Sequence, residues 1–282
     1  MVKVLKPGFY STIQDFGRMG YQQYGVPYSG VMDRFSASIV NSLLGNNENA
    51  AVIEMTMTGA TFQFDTETLI CISGANMYPK LNDSEILNDK VVKVNKYDVL
   101  SFGKLESGFR CYLGVLGGFE TEIIMDSRSM YNGITSKHIL KKGELLKYSE
   151  SSIKNRKQNA RLRINHSYLN TSSIEVFKGP EFDLLSKEQQ EILIVNSFSI
   201  SKNNNRMAYQ LVETLENNLD SIITSAVLPG TVQLTPSGKL IVLMRDCQTT
   251  GGYPRVLQLK ESSINVMSQK YAGQTCNFKL LK

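Results

Sequence analysis

Apolar residues along this chain fall mostly into short runs rich in β-branched and aromatic side chains, separated by Gly, Asn and Asp. Residues 61–64, 69–73, 91–94 and 110–115 read as strands in the first half, and residues 174–178, 191–195, 231–234 and 240–244 read the same way in the second. Such spacing predicts barrels or sandwiches, not βαβ units, so the fold class is mainly β with a few helices. The clearest helix covers residues 29–44, where Met32, Phe35, Ile39 and Leu43 form one stripe at three- and four-residue steps. Ser29 is its expected N-cap and Gly45 its C′ residue. Asp33 falls in its first turn, where a negative charge suits the helix dipole. Shorter helices are expected at about 182–190 and 207–215.

A weak internal echo adds to this picture. Val4-Leu5-Lys6 resembles Val176-Phe177-Lys178, residues 59–64 resemble 230–234, and residues 69–72 resemble 240–243, each at a displacement of about 171 residues. Three matches in order favour a duplicated β unit. The expected organisation is an N-terminal β-barrel-like domain over 1–150, a polar connection over 151–173 and a C-terminal barrel over 174–282, with exchange of segments allowed.

Composition narrows the class. The chain has 282 residues, 41% hydrophobic and 20% charged, and a net charge of +5. A chain of this size buries roughly 75% of its unfolded surface, so it needs no disulfide or metal staple. The basic cluster Lys154, Arg156, Lys157, Arg161 and Arg163 lacks interleaved aromatics and reads as a solvated linker, not a nucleic-acid footprint. None of the four cysteines has CxxC spacing and there are only two histidines, so no metal site is expected. There is no apolar signal core and no run near the ~18 apolar residues of a membrane span, which fits a reducing cytoplasm.

The familiar nucleotide and nucleophile motifs are missing. No G-x-x-x-x-G-K-[ST], G-x-G-x-x-G or G-x-S-x-G occurs, and no Met-Lys-Met marks a biotin carrier, so no biotin is expected on this chain. The positive signals are loops. Residues 11–33 are dense in Gly, Tyr and polar groups just before a helix. Arg18 there suits a carboxylate or phosphate, and Tyr21 and Tyr24 suit an aromatic wall. The alternative is a turn-forming loop with a local Asp15–Arg18 ion pair. Residues 246–255, D-C-Q-T-T-G-G-Y-P-R, either present backbone N–H groups to an anion or simply end a barrel strand. Cys247 has no histidine near it in sequence and is a poor nucleophile candidate. Gly117-Gly118-Phe119 is a strand end beside a cleft or a plain turn. Arg128 in S-R-S-M-Y offers an anion clamp or sits in a solvated loop. Arg206 faces an anionic ligand or a neighbouring carboxylate such as Glu213.

Taken together, the stretches over residues 4–21, 25–33, 113–119, 127–131, 205–209 and 248–254 resemble the biotin-dependent carboxyltransferase-like family, of the allophanate hydrolase subunit 2 type. That family includes the C component of 5-oxoprolinases, the Kip-type sporulation regulator and the carboxyltransferase region of urea carboxylase. The resemblance implies two cyclophilin-like β-barrel domains with a cleft between them. It implies a hydrolase subunit that opens 5-oxoproline to glutamate with ATP, active only in a hetero-oligomer with an allophanate-hydrolase subunit 1-like subunit and a lactam-utilisation-type subunit. ATP then belongs either to this chain or to the complex. Two other readings stand beside it: a non-catalytic regulator that binds a kinase-inhibitor partner, and a carboxyltransferase component served by a separate biotin carrier. The candidate substrate- and phosphate-binding residues are Asp15, Arg18, Tyr21, Asp33, Arg128, Arg206, Gln248, Thr249, Thr250, Gly251, Gly252 and Tyr253. No residue is assigned as catalytic.

Overall fold

The computed structural model of the chain describes residues 1–148 and 164–281. The basic cluster over 154–163 and most of the expected connection lie outside the described residues. The first half forms β1 (Val2–Lys6), β2 (Tyr10–Gln14), α1 (Arg34–Leu44), β3 (Val52–Thr56), β4 (Thr61–Phe64), β5 (Thr68–Asn76), β6 (Lys80–Leu81), β7 (Ser84–Glu85), β8 (Val92–Val94), β9 (Val99–Ser101), β10 (Ser107–Val115) and β11 (Leu145–Leu146). The second forms β12 (Ser173–Lys178), α2 (Lys187–Val195), β13 (Ser197–Asn204), β14 (Ala208–Thr214), β15 (Ser225–Ala226), β16 (Thr231–Leu234), β17 (Lys239–Leu243), β18 (Thr250–Gly251), β19 (Arg255–Leu259), α3 (Glu261–Ser268) and β20 (Thr275–Leu280).

These elements build two units. The first comprises Met1–Gly17 with Asp33–Asn170, and the second Arg18–Met32 with Thr171–Lys282. The chain therefore leaves the first unit after Gly17 and re-enters it at Asp33. The intervening excursion belongs to the second unit.

In the first unit the sheets run β11-β1-β4-β9-β6-β7 and β2-β3-β10-β5-β8. Val4, Phe62 and Phe64 of one join Ile53, Ile72 and Leu113 of the other in a single apolar core. Strand β10 is buried on both faces because its side chains alternate between two different layers. Cys111, Leu113 and Val115 enter the core. Gly114 faces α1 so closely that a Cβ there would lie 2.3 Å from Val40 Cγ1. The residues after β10 form a plain turn, with Gly118 N–H donating to the Val115 carbonyl at 3.0 Å and Phe119 buried in the core. The second unit is a closed barrel in the order β12-β19-β16-β17-β14-β13-β20, sealed by the parallel pair β12/β20. Alternate strand residues such as Ile174, Leu211, Val232 and Val242 are buried, and Phe198 meets Phe278 at a ring-centroid distance of 5.5 Å.

Several expectations need correction. The first helix starts five residues late: Ser29 is left-handed, at φ 57°, and Asp33 is the N-cap, its carboxylate accepting from Ser36 N–H at 3.1 Å. Its buried face is Ser36, Ala37, Ile39, Val40, Asn41 and Leu44, while Phe35 is exposed. Gly45 ends the helix as expected. Residues 207–215 are not helical, and most of them form strand β14. Tyr209 and Leu211 are buried while Val212 is exposed, a period of two that overrides the helical spacing of Leu211 and Leu215. Residues 182–190 begin with a 3-10 turn at Phe182–Leu184, and a Ser186/Gln189 capping box then starts α2. Residues 191–195 lie inside that helix and form no strand. Helix α3 is an addition that periodicity did not reveal. All three echoed segments are strands, but β16 pairs directly with β17, whereas their counterparts β4 and β5 lie in different sheets. The echo is thus one of local strand pattern and not of pairing.

The Gly114 contact gives a direct test of helix packing. Gly114→Ala is expected to lower unfolding free energy by about 1–3 kcal/mol, since the new methyl must displace Val40 or α1. Urea denaturation of the two proteins measures this; equal midpoints would mean that α1 yields at no cost.

Candidate functional site

The candidate residues divide between the two units. In the first, Asp15 follows β2 and is 3% exposed. Its carboxylate accepts from Ser127 Oγ, Ser129 Oγ and Arg128 N–H, each at 2.6 Å, and from Gly17 N–H at 2.9 Å. Ser129 Oγ in turn accepts from Asp15 N–H at 3.1 Å. Four donors on one buried carboxylate form a charge-assisted clamp. It joins two motifs more than a hundred positions apart, and it takes the place of the Asp15–Arg18 pair that was the alternative reading of this loop. The Arg128 guanidinium donates to the Thr121 carbonyl. Arg128 is therefore tied at both its backbone and its side chain.

Asp33 anchors a second network. Its carboxylate accepts from Ser36 Oγ at 2.8 Å and from Tyr168 OH at 2.8 Å. Its N–H donates to Tyr112 OH at 2.8 Å, which donates onward to Glu54 at 2.9 Å. Glu54 is 3.7 Å from the Arg110 guanidinium. All of Asp33, Tyr112, Glu54 and Arg110 are at most 2% exposed. Burial, and then the negative charges of Glu54 and Asp33, push the Tyr112 phenol well above its usual range. Burial and the Asp33 charge do the same to Tyr168. Tyr168 also stacks edge-on against Phe35 at 5.3 Å.

In the second unit the excursion 18–32 is pinned at several points. Arg18 is fully buried, and its N–H donates to the Tyr28 carbonyl at 2.6 Å, closing the excursion on itself. Gln22 Nε2 donates to the Arg18 carbonyl at 2.7 Å. Tyr21 is half-buried and Tyr24 is 73% exposed. Ser29 N–H donates to the Arg245 carbonyl at 2.9 Å. Arg206 donates to both oxygens of Asp246, at 2.8 and 3.0 Å, and to the Gly30 carbonyl at 2.6 Å. Its carboxylate partner is thus Asp246, whereas Glu213 accepts from Ser199. No helix begins at Arg206; it precedes β14.

The 246–253 stretch is partly a strand. Thr250–Gly251 pairs with Ser225–Ala226, and the carbonyls of Thr249 and Gly252 accept from Val227 and Ile222. Neither Gly251 nor Gly252 has a positive φ. Gly251 is demanded instead by close approach: a Cβ there would lie 2.5 Å from Gln233 Nε2. Gln248 and Thr249 are half-buried, and Thr250 and Tyr253 are exposed. Cys247 is buried and its thiol is pushed up to about 12 by desolvation and by Asp246, which removes the thiolate a nucleophile needs. Among the described residues, no group of three or more His, Cys, Asp or Glu side chains is placed to hold a metal, and no helix is long and apolar enough to cross a membrane.

Sequence patterns do not single out Ser127, Ser129, Asp246, Tyr112, Glu54 or Tyr168. The first three sit inside motifs that draw attention to an arginine or a turn instead. The others are in strands or in the segment expected to be a linker, where no local signal marks them.

The phenols make the fold sensitive to alkali. Above about pH 10 an unfolded tyrosine gives up its proton, while folded Tyr112 and Tyr168 keep theirs. The native state then holds more protons than the unfolded one, so stability present below about pH 10 is lost as pH rises further. Urea melts between about pH 8 and 11 are expected to show that decline, and Tyr168→Phe is expected to make it shallower while costing about 1–2 kcal/mol at neutral pH through the lost bond to Asp33. Parallel slopes for the two proteins would contradict this.

Comparison with known proteins places this geometry. The family model described as carboxyltransferase domain, subdomain A and B, matches residues 24–280. The chain is 30% identical to the C component of the 5-oxoprolinase of Escherichia coli K12 over 285 residues, covering 99% of this chain and 90% of that relative. Over 153 residues it is 41% identical to urea amidolyase of Lachancea kluyveri, covering 51% of this chain but 8% of the relative. The solved K. lactis urea amidolyase superposes with a TM-score of 0.88 at 28% identity, covering 100% of this chain. This chain spans only 19% of that longer protein. Because the family match takes in all but the first strands and the last residues, the chain belongs to the carboxyltransferase domain family, subdomains A and B.

Proposed function

We propose that this chain is the C component of an ATP-dependent 5-oxoprolinase, a hydrolase that acts as a cytoplasmic hetero-oligomer. The observation that carries this is the 30% identity to the C component of the Escherichia coli 5-oxoprolinase, which extends over 99% of this chain and 90% of the relative. The matches to urea amidolyases take in far smaller shares of those proteins. The partners in this reading are an allophanate-hydrolase subunit 1-like subunit and a lactam-utilisation-type subunit.

The chemical task is to open a five-membered lactam stabilised by amide resonance. ATP supplies a phosphoryl group that turns the carbonyl oxygen into a leaving group. Two of the candidate anion-binding arginines are held by the protein itself, Arg206 by Asp246 and Gly30 and Arg128 by Thr121. In this reading ATP belongs to the partners. What this chain supplies is placement of an anionic substrate. Asp15, Arg18, Asp33 and Arg206 are positioning residues that hold the motif loops from within. Arg128, tied at its backbone and guanidinium, joins them, and the half-buried or exposed groups Gln248, Thr249, Thr250, Gly251, Gly252 and Tyr253 are the ones that face the lactam and its carboxylate in this reading.

The test is reconstitution. Purified with both partner subunits, the chain is expected to support ATP-dependent release of glutamate from 5-oxoproline, and omission of any one subunit is expected to abolish it. A complex that assembles normally and releases no glutamate would overturn the proposal. Carboxylation of a supplied biotin carrier's substrate in place of glutamate release would assign the chain to the carboxyltransferase reading.

A further inference from the structure

The loop that follows the S-R-S-M-Y motif carries Asn132-Gly133, the one Asn-Gly pair in the sequence. The pair forms the middle of a tight turn. The Tyr131 carbonyl accepts from Ile134 N–H at 3.2 Å and from Thr135 N–H at 3.1 Å. Gly133 takes φ 84° at the third position of that turn, where glycine meets no steric penalty. Asn132 and Gly133 are both exposed.

The turn leaves the pair itself unbonded. Among the described residues, neither the Asn132 side chain nor the peptide unit between Asn132 and Gly133 takes part in a hydrogen bond. Apart from its chain neighbours, no atom lies within 4 Å of the place a Gly133 Cβ would occupy. The peptide unit is therefore free to rotate and the side chain to change rotamer without breaking a native bond. Both motions bring the Gly133 nitrogen onto Asn132 Cγ. Asn82, in the turn of the β6–β7 hairpin, is arranged in the opposite way. Its Nδ2 donates to Asp98 at 2.7 Å, its Oδ1 accepts from Val99 N–H at 2.8 Å, and Asp83 follows it.

We propose that Asn132 is a self-modification site, converted in the folded chain to aspartate and isoaspartate without an enzyme. A solvent base removes the Gly133 amide proton, and the nitrogen attacks Asn132 Cγ. The N–Cγ bond forms, the Cγ–Nδ2 bond breaks, and Nδ2 picks up a proton from water and leaves as ammonia. The product is a five-membered succinimide. Water opens it at Cγ to give aspartate, or at the backbone carbonyl to give isoaspartate, whose main chain runs through the side-chain methylene. Water enters, ammonia leaves and nothing is oxidised or reduced. Glycine at 133 favours the attack because it has no Cβ to crowd the nitrogen. Either product adds a negative charge. Isoaspartate also lengthens the backbone inside the turn, which breaks the two bonds to the Tyr131 carbonyl. The disturbance stops at Met130, whose N–H donates to the Ile13 carbonyl at 2.9 Å, with the Asp15 carboxylate holding 127–129 behind it. The modification is independent of the oxoprolinase reading.

The experiment ages the full-length chain under native conditions, at mildly alkaline pH in heavy-oxygen water, and maps its peptides by mass spectrometry. The peptide containing Asn132 is expected to convert to two acidic forms carrying heavy oxygen, at a rate proportional to hydroxide, while the peptide containing Asn82 stays an amide. An isoaspartyl-specific methyltransferase is expected to label the aged chain and to label aged Asn132→Gln far less, because glutamine would have to close a six-membered ring. Hydrogen exchange at the Ile134 and Thr135 amides is expected to rise at least about tenfold in the aged chain, with the Arg128 amide unchanged. The proposal is overturned if Asn132 stays an amide in the folded chain while converting in a denatured one, if Asn82 converts equally fast, or if methyl labelling is undiminished in Asn132→Gln.

Discussion

One buried carboxylate organises the N-terminal motif. Asp15 holds Ser127, Ser129, the Arg128 amide and the Gly17 amide at once, and it stands two residues before the last position of the first unit's opening segment. Asp33 stands where the chain returns and is equally buried, capping α1 while gripping Tyr168. The excursion between them is thus held at both ends by a desolvated aspartate whose donors come from the protein. A carboxylate in such a place is tolerable only when its lone pairs are filled. That requirement forces the serines of S-R-S and Tyr168 of the 3-10 turn into register with the two aspartates.

The second unit treats its share of the excursion in the same way. Arg206 satisfies Asp246 and the Gly30 carbonyl together, and Arg245 accepts from Ser29 through its carbonyl while its guanidinium pairs with Glu261. Removing one member of a buried pair leaves the other charge uncompensated, typically at a cost of about 3–5 kcal/mol. The charged motif residues therefore work first as internal fasteners. The half-buried or exposed motif residues are mostly neutral: Tyr21, Gln248, the two threonines and Gly251–Gly252. Under the proposed function, such a division would let this chain place a substrate while its partners carry the phosphoryl chemistry.

Much of this is legible along the chain, and for physical reasons. Strands β4 and β16 are short apolar-rich runs bounded by turn residues, and their bounds at 61–64 and 231–234 follow from pattern alone. Helix α1 is visible, but its start is not, because Asp33 and Ser29 are both good caps in sequence and only the left-handed backbone of Ser29 decides between them. Strand β14 is misread because a segment such as A-Y-Q-L-V-E-T satisfies both periods until its neighbours are known. Arg206 stands out without its partner, since Asp246 is 40 residues away. The Asp15 clamp is hidden for the same reason: serines in a loop give no sign of which distant carboxylate they serve.

The central claim is that Asp15 fixes the 127–129 loop and the entry to the excursion, and amide hydrogen exchange tests it most directly. In Asp15→Asn, the Arg128 and Gly17 amides are expected to lose protection by at least about tenfold, while those of β10, bonded only within the sheet, keep theirs. Unchanged protection at Arg128 and Gly17 would contradict the account, because it would mean that the loop holds its place without the carboxylate.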